Sequence, residues 1–175
     1  MIVYKLTDKD GKTRVGFENE TQWGNNVTNE TDGSGELCGS GWLHAYEDPL
    51  LAVLHNPIHA RLNPDTMILW ECKTGDVIKR DGFMKLGTTK LTTVKQIPLP
   101  VITIEQRSKY AVLCALSVYK EKDFVIWANK WLYIIDKTKA AAETVAWVTA
   151  EVVAWAVAEA ITPINLISIA KQAML

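Results

Sequence analysis

Residues 35–62, GELCGSGWLHAYEDPLLAVLHNPIHARL, carry all three histidines of the chain and one of its three cysteines. Imidazole and thiolate are the side chains that most readily hold zinc, and His55 and His59 stand at i, i+4, a spacing that puts two imidazoles on one helix face. Pro57 lies between them and interrupts any helix that would carry both. Asp65 is the one nearby carboxylate at a ligand-like spacing, so a metal site would have to import Cys38 or Cys72 from a distance. The expectation is therefore no metal, with His55 finishing a helix beside its C-terminal dipole. His44 reads differently. In WLHAY it alternates with Trp42 and Tyr46, so the three share one strand face. There an imidazole between two aromatic rings can stack on a base or a nicotinamide, or can sit half-buried and hydrogen-bonded.

Other catalytic patterns are thin. Gly33-Ser34-Gly35 and Gly39-Ser40-Gly41 are glycine-rich, but neither is a phosphate-binding loop with its Lys-Ser/Thr, nor a dinucleotide fingerprint entering a helix. No serine sits in a nucleophile elbow. Cys38 has no identified activating base, and Glu47-Asp48 serves a helix start. No catalytic residue and no cofactor is assigned.

The elements that must position these residues follow from pattern. IVYKLT (2–7) and KTRVGF (12–17) flank the turn cluster DKDG and read as a hairpin. Residues 18–41, rich in Asn, Thr, Glu and Gly, read as a long loop in which Trp23, Val27, Leu37 and Cys38 offer burial. WLHAY (42–46) reads as a strand. Asp48 and Pro49 supply an N-cap and a first-turn proline for the helix PLLAVLH, which should stop before Pro57. TMILWECK (66–73) is a buried strand, followed by a Gly75-Asp76 turn and VIK. KLTTVKQIPLPVI (90–102) is extended, and its prolines suit an edge or exit segment.

From Thr103 the period becomes helical. Thr103 and Gln106 form a capping box ahead of SKYAVLCALSVY. A second helix over 123–135 presents Phe124, Trp127, Trp131 and Ile134 or Ile135 on one face. A third starts near Asp136 or Thr138 and runs to about residue 161, where Thr162-Pro163 ends it and caps a last short helix, PINLISIAKQAML. The third repeats in eights, ETVAWVTA then EVVAWAVA, with Glu143, Glu151 and Glu159 and with Trp147 and Trp155 winding along one broad face opposite Ala and Val. Three glutamates in so short a stretch argue against a membrane span. Two readings remain open, burial within the chain's own fold and a self-association surface carried by Trp147, Glu151, Trp155 and Glu159.

Composition bounds the function. A chain of 175 residues with 48% hydrophobic residues and a formal net charge of -1 builds one well-buried core, or a domain with a helical appendage, and offers no field for generic nucleic-acid or membrane binding. Three widely spaced cysteines fit a reducing cytoplasm. The opening MIVYKLTDKDG lacks the pattern of a secretory leader, so the sequons at Asn19, Asn26 and Asn29 are read as polar loop. The expected fold is α+β: a small mixed or antiparallel sheet with one crossing helix over residues 1–102, and a helical layer over 103–175 packed on it or mediating self-association, as one continuous unit.

Three segments resemble an uncharacterised family of phage and bacterial accessory proteins. They are Glu36-Leu-Cys-Gly-Ser-Gly-Trp-Leu-His-Ala-Tyr with Asp48-Pro-Leu-Leu-Ala after it, then Leu69-Trp-Glu-Cys with Gly75-Asp-Val, and the tail ending in Ile-Ala-Lys-Gln-Ala. Cys38, Gly41 and His44 occupy that family's Cys, Gly and His positions ahead of its Pro-Leu helix. The resemblance spans residues 36–175 and implies a phage-associated accessory protein with no established activity to carry over; the expected function is that of a non-catalytic binding protein in the cytoplasm of the infected host cell. Such a protein would inhibit a host defence factor by binding a host protein or a host nucleotide, as a homo-oligomer, with neither sequence-specific nucleic acid nor membrane as partner. A weaker likeness, to ADP-ribosyltransferases, implies an NAD pocket with Tyr4, His44 and Tyr46 as candidates beside Trp42. The chain shows no catalytic glutamate in the late-strand context of that family, because Glu105 falls at a helix start.

Overall fold

The computed structural model describes residues 1–133 and 164–175. The fold is α+β, in two compact units, Met1–Pro100 and Val101–Leu175.

Alternating burial and β-branched residues make strands of the first unit. In β1 (Ile2–Thr7) the side chains of Val3, Lys5 and Thr7 are all buried at alternate positions. β1 pairs antiparallel with β6 (Ile68–Thr74), β6 with β9 (Lys90–Ile97), and β9 with β4 (Thr28–Glu30), giving a four-stranded sheet in the order β1-β6-β9-β4. A second sheet has the order β5-β8-β7, from β5 (Leu43–Ala45), β7 (Ile78–Asp81) and β8 (Lys85–Thr88). A ribbon of β2 (Lys12–Thr13) and β3 (Thr21–Gln22) completes the strands. The two larger sheets are tied at one point: Tyr4 and Tyr46 exchange both backbone hydrogen bonds, each at 2.8 Å.

Between these strands lies a core of Val3, Trp23, Leu43, Ala45, Trp70, Cys72, Leu86 and Leu91. Buried tryptophans need partners for their N–H groups. Trp70 Nε1 donates to Thr7 Oγ1 at 3.0 Å and Trp23 Nε1 to Thr13 Oγ1 at 2.9 Å. Helix α1 (Pro49–Leu54) starts as its sequence dictates, with the Asp48 carboxylate accepting from Leu50 N at 2.9 Å and Pro49 in the first turn. It buries Leu51, Ala52, Val53 and Leu54 and packs against β1.

Several sequence expectations are corrected. The hairpin of residues 2–17 does not form, because β1 pairs with β6 and β2 with β3. The Asp8 carboxylate takes the N–H groups of Asp10 and Lys12, and Arg14 (φ 56°) and Gly16 (φ 80°) then turn the chain out of extension. Residues 18–41 are not one loop, since burial of Trp23 anchors β3 and β4 inside them. The helix after Asp48 ends at Leu54, and a second short helix, α2 (Asn56–His59), accommodates Pro57 in its first turn. β8 carries no apolar alternation and was not expected. Of the two alternatives for 90–102 the exit segment holds and the edge does not: β9 lies between β6 and β4, with Pro98 and Pro100 beyond its last residue.

In the second unit α3 (Ile104–Val118) carries the full capping box, Thr103 Oγ1 accepting from Gln106 N at 3.1 Å and Gln106 Oε1 from Thr103 N at 2.9 Å. α4 (Lys122–Tyr133) joins Val112, Ala128 and Trp131 in a small core with Leu116, Phe124 and Leu132 packed against it. Its buried stripe is Phe124-Ala128-Trp131, so Trp127 lies off that face and is 47% exposed, unlike the sequence expectation. α5 (Leu166–Ala173) is capped by Asn165 and packs on α3 through Leu166, Ala170 and Ala173. Ile134 and Ile135, the eight-residue repeat and the surface assigned to Trp147, Glu151, Trp155 and Glu159 lie outside the described residues. Among the described residues no helix is long and apolar enough to cross a membrane.

Leu86 is fully buried between the first unit's strands. Leu86→Ala is expected to lower the unfolding free energy by about 2–5 kcal/mol, read from the urea midpoint at unchanged m-value. A loss below half a kcal/mol would show that this core is not the one that holds the unit.

Candidate functional site

The first unit has a solvent-open pocket of about 490 Å3, inside the range of about 300–1,000 Å3 usual for small-molecule sites. β1 contributes Lys5 and Leu6 to its wall, the segment after β2 contributes Arg14 and Phe17, the β5 segment contributes Cys38, Trp42, His44 and Tyr46, α2 contributes His59, and β8 contributes Lys85. Pleating explains the β5 group: Trp42, His44 and Tyr46 alternate in sequence and all three face the cavity.

The imidazoles cluster around one phenol. Tyr46 stacks on His59 with ring centroids 6.0 Å apart and meets His55 edge-on at 5.9 Å, while His55 and His59 are 5.8 Å apart. The Tyr46 hydroxyl and His59 Nδ1 are hydrogen-bonded at 2.7 Å, and His44 Nε2 is bonded to the Leu37 carbonyl. Because a carbonyl only accepts, His44 carries its proton on Nε2. All three imidazoles are held neutral. Burial pushes His44 down to about 4, against the pull of its Leu37 bond and with the charges of Lys5, Lys85 and Arg14 adding to burial. Burial likewise takes His55 to about 4, and burial followed by the Lys85 charge takes His59 to about 3. The Tyr46 hydroxyl is pushed up by burial and stays protonated.

The second feature is positive charge. Lys5 is buried in the middle of β1, donates to the His44 carbonyl at 2.9 Å and lies 4.6 Å from the centre of the Trp23 ring. Burial lowers its ammonium to about 8, with the thiol of Cys72 opposing and Arg14 assisting. Arg14 sits in the left-handed region (φ 56°), where a non-glycine residue is strained, and its Nη2 donates to the Gly39 carbonyl at 3.3 Å. Lys85 donates to Cys38 Sγ at 3.2 Å. None of these three cations has a carboxylate partner among the described residues. The one carboxylate on the wall, Glu20, is committed to Lys12 at 2.6 Å and to Gly16 N at 3.0 Å, which hold it below the usual carboxylate range.

Of the residues singled out from sequence, Trp42, His44 and Tyr46 meet at the cavity. Tyr4 does not line it; its backbone bridge holds Tyr46 in place instead. His55 and His59 come together despite Pro57, because the chain restarts as α2. Among the described residues no three of His, Cys, Asp and Glu converge as a metal-ligand set. Gly41 is a packing requirement, since a Cβ there would lie 2.2 Å from the Ser34 carbonyl oxygen. Gly87, opposite His44 in the β5–β8 ladder, is another, because a Cβ would meet Leu37 Cδ1 at 2.4 Å. Sequence reasoning missed Lys5, Arg14 and Lys85. A lysine at a core position of IVYKLT was the available signal for the first.

The neutral histidines have a pH signature. Unfolded imidazoles take protons near 6.5, whereas the folded ones resist to about 4 or 3. Below pH 6.5 the unfolded chain therefore binds more protons, and stability must fall as pH drops from about 6.5 towards about 4. Urea midpoints measured across that window should decline steadily. A flat profile would contradict the burial of neutral imidazoles.

Neither a search of curated proteins nor one of solved structures finds a match to the chain. The family model for a domain of unknown function (DUF7666) matches residues 1–105, the stretch that contains every strand among the described residues and every wall residue of the cavity. With more than half its length matched, the chain belongs to the DUF7666 family of domains of unknown function.

Proposed function

We propose that the chain is a non-catalytic accessory binding protein whose first unit takes an anionic, ring-bearing ligand of the nucleotide class. The observation that carries this reading is the convergence of Lys5, Arg14 and Lys85 on one cavity with no carboxylate paired to any of them among the described residues. Removing a cation from water without a counter-charge is costly, and a ligand anion would offset that cost. The aromatic side chains argue for a ring as well as a charge. Phe17, 72% exposed at the cavity, supplies a face on which a base can stack, a contact contributing about 1–3 kcal/mol, while Trp42 and Tyr46 give the wall its aromatic backing.

Binding is favoured over ADP-ribosyl transfer by the state of the polar groups. Glu20, the carboxylate on the wall, is spent on Lys12 and Gly16, and the imidazoles are neutral and hydrogen-bonded. In the phage setting that the sequence resemblance implies, the protein would withhold a host-made nucleotide from a host defence factor. Self-association through Trp147 and Trp155 remains part of the proposal, and native mass spectrometry of the Trp155→Ala variant decides it, an unchanged mass contradicting it.

Calorimetric titration with AMP, ADP, ATP and NAD tests the central reading. At least one should bind, with affinity falling as salt rises, and Arg14→Ala should weaken it by about tenfold or more, the worth of a charge-assisted bond of roughly 1.5–3 kcal/mol. No heat from any of the four at millimolar concentration, together with no rise in the unfolding temperature, would overturn it.

A further inference from the structure

We infer that His59 presents its Nε2–H to the cavity as a fixed, neutral hydrogen-bond donor and, with Lys85, forms a subsite for a phosphoryl oxygen of the ligand. The inference rests on the binding reading above and deepens it by naming the chemistry recognised at one end of the cavity.

The Tyr46–His59 contact sets the proton. Tyr46 is 8% exposed, so its hydroxyl proton needs an acceptor within the protein, and His59 Nδ1 stands 2.7 Å away. A neutral imidazole that accepts at Nδ1 carries its hydrogen on Nε2. Both partners of this bond are immobilised. Tyr46 is locked by its two 2.8 Å backbone bonds to Tyr4, and the α2 turn bearing His59 is closed by Asn56, which donates to the Leu62 carbonyl at 2.8 Å and accepts from Leu62 N at 3.0 Å. The donor is thus held before any ligand arrives, which lowers the entropic cost of binding.

His59 is also the histidine available for this task. His44 has given its Nε2–H to the Leu37 carbonyl, and His55 is fully buried away from the cavity wall. His59 is half-buried on the wall, and its Nε2 has no hydrogen-bond partner among the described residues. Lys85 lines the same cavity, where its ammonium donates to Cys38 Sγ at 3.2 Å and has no carboxylate partner among the described residues. An ammonium and a neutral N–H on the wall of one cavity suit an oxygen that is anionic and has several lone pairs, as a phosphoryl oxygen is. A nucleoside, which lacks that group, would leave both donors unanswered.

Two measurements test this. In the wild-type protein, two-dimensional NMR of 15N-labelled histidine should report the Nε2–H tautomer for His59 at neutral pH, and its Nε2 resonance should move on adding AMP and not on adding adenosine. In calorimetry, His59→Leu should weaken AMP by about tenfold, roughly one hydrogen bond to a charged group, while His59→Gln, which keeps an N–H, recovers part of the loss. Inorganic phosphate that shifts His59 Nε2 while AMP leaves it unmoved would support the subsite and assign it to free phosphate, overturning the nucleotide reading alone. AMP binding to wild type and to His59→Leu with equal affinity, or an Nδ1–H tautomer at His59, would overturn the subsite and leave the nucleotide reading standing. Failure of both AMP and phosphate to bind the wild-type protein would overturn both.

Discussion

A lysine ammonium buried without a carboxylate is the constraint on which the site depends. Lys5 occupies a core position of β1, and among the described residues its charge is met by the His44 carbonyl and the face of Trp23. Those two contacts orient the ammonium without neutralising it, so its field is felt by what surrounds it. His44 is kept neutral by burial with that field added, and Arg14 and Lys85 extend the same sign of potential around the cavity. Of the three cations only Lys5 is buried, Arg14 and Lys85 being half-buried, and the proposed anionic ligand would supply the counter-charge that the described residues do not.

The framework around Lys5 is built to hold that arrangement. β1 is hydrogen-bonded to β6 along its length and to Tyr46 on its other side, so one strand fixes both the ammonium and the phenol that orients His59. The wall opposite is held by close approach, with Gly41 against the Ser34 backbone and Gly87 under Leu37 and Trp42. Side chains larger than hydrogen at either position would push the β5 segment, and His44 with it, out of register. The polar wall of the cavity and the packing of the fold therefore share the same few residues.

Much of this was legible in the sequence where the signal is local. The capping box at Thr103, the Asp48-Pro49 helix start and the common face of Trp42, His44 and Tyr46 depend on spacings of a few residues, and each appears where its pattern puts it. What escaped was set by distant contacts. DKDG looks like a hairpin turn, but the Asp8 side chain takes the N–H groups of Asp10 and Lys12, and β1 finds its partner in β6, more than sixty residues on. Arg14 and Lys85 reach the cavity from segments with no periodicity to mark them, and Pro57 separates His55 from His59 along the chain without separating them in space. The Trp147 and Trp155 repeat lies outside the described residues.

The most direct test of the central claim is the titration of the Lys5 ammonium itself, followed by NMR of labelled lysine with and without AMP. The account predicts a Lys5 pKa near 8 in the free protein, well under the ordinary 10.5. It also predicts an upward shift when AMP binds, because a nearby anion favours the charged form. An ordinary lysine titration that AMP leaves unmoved would contradict both the burial of an uncompensated charge and its role in ligand recognition.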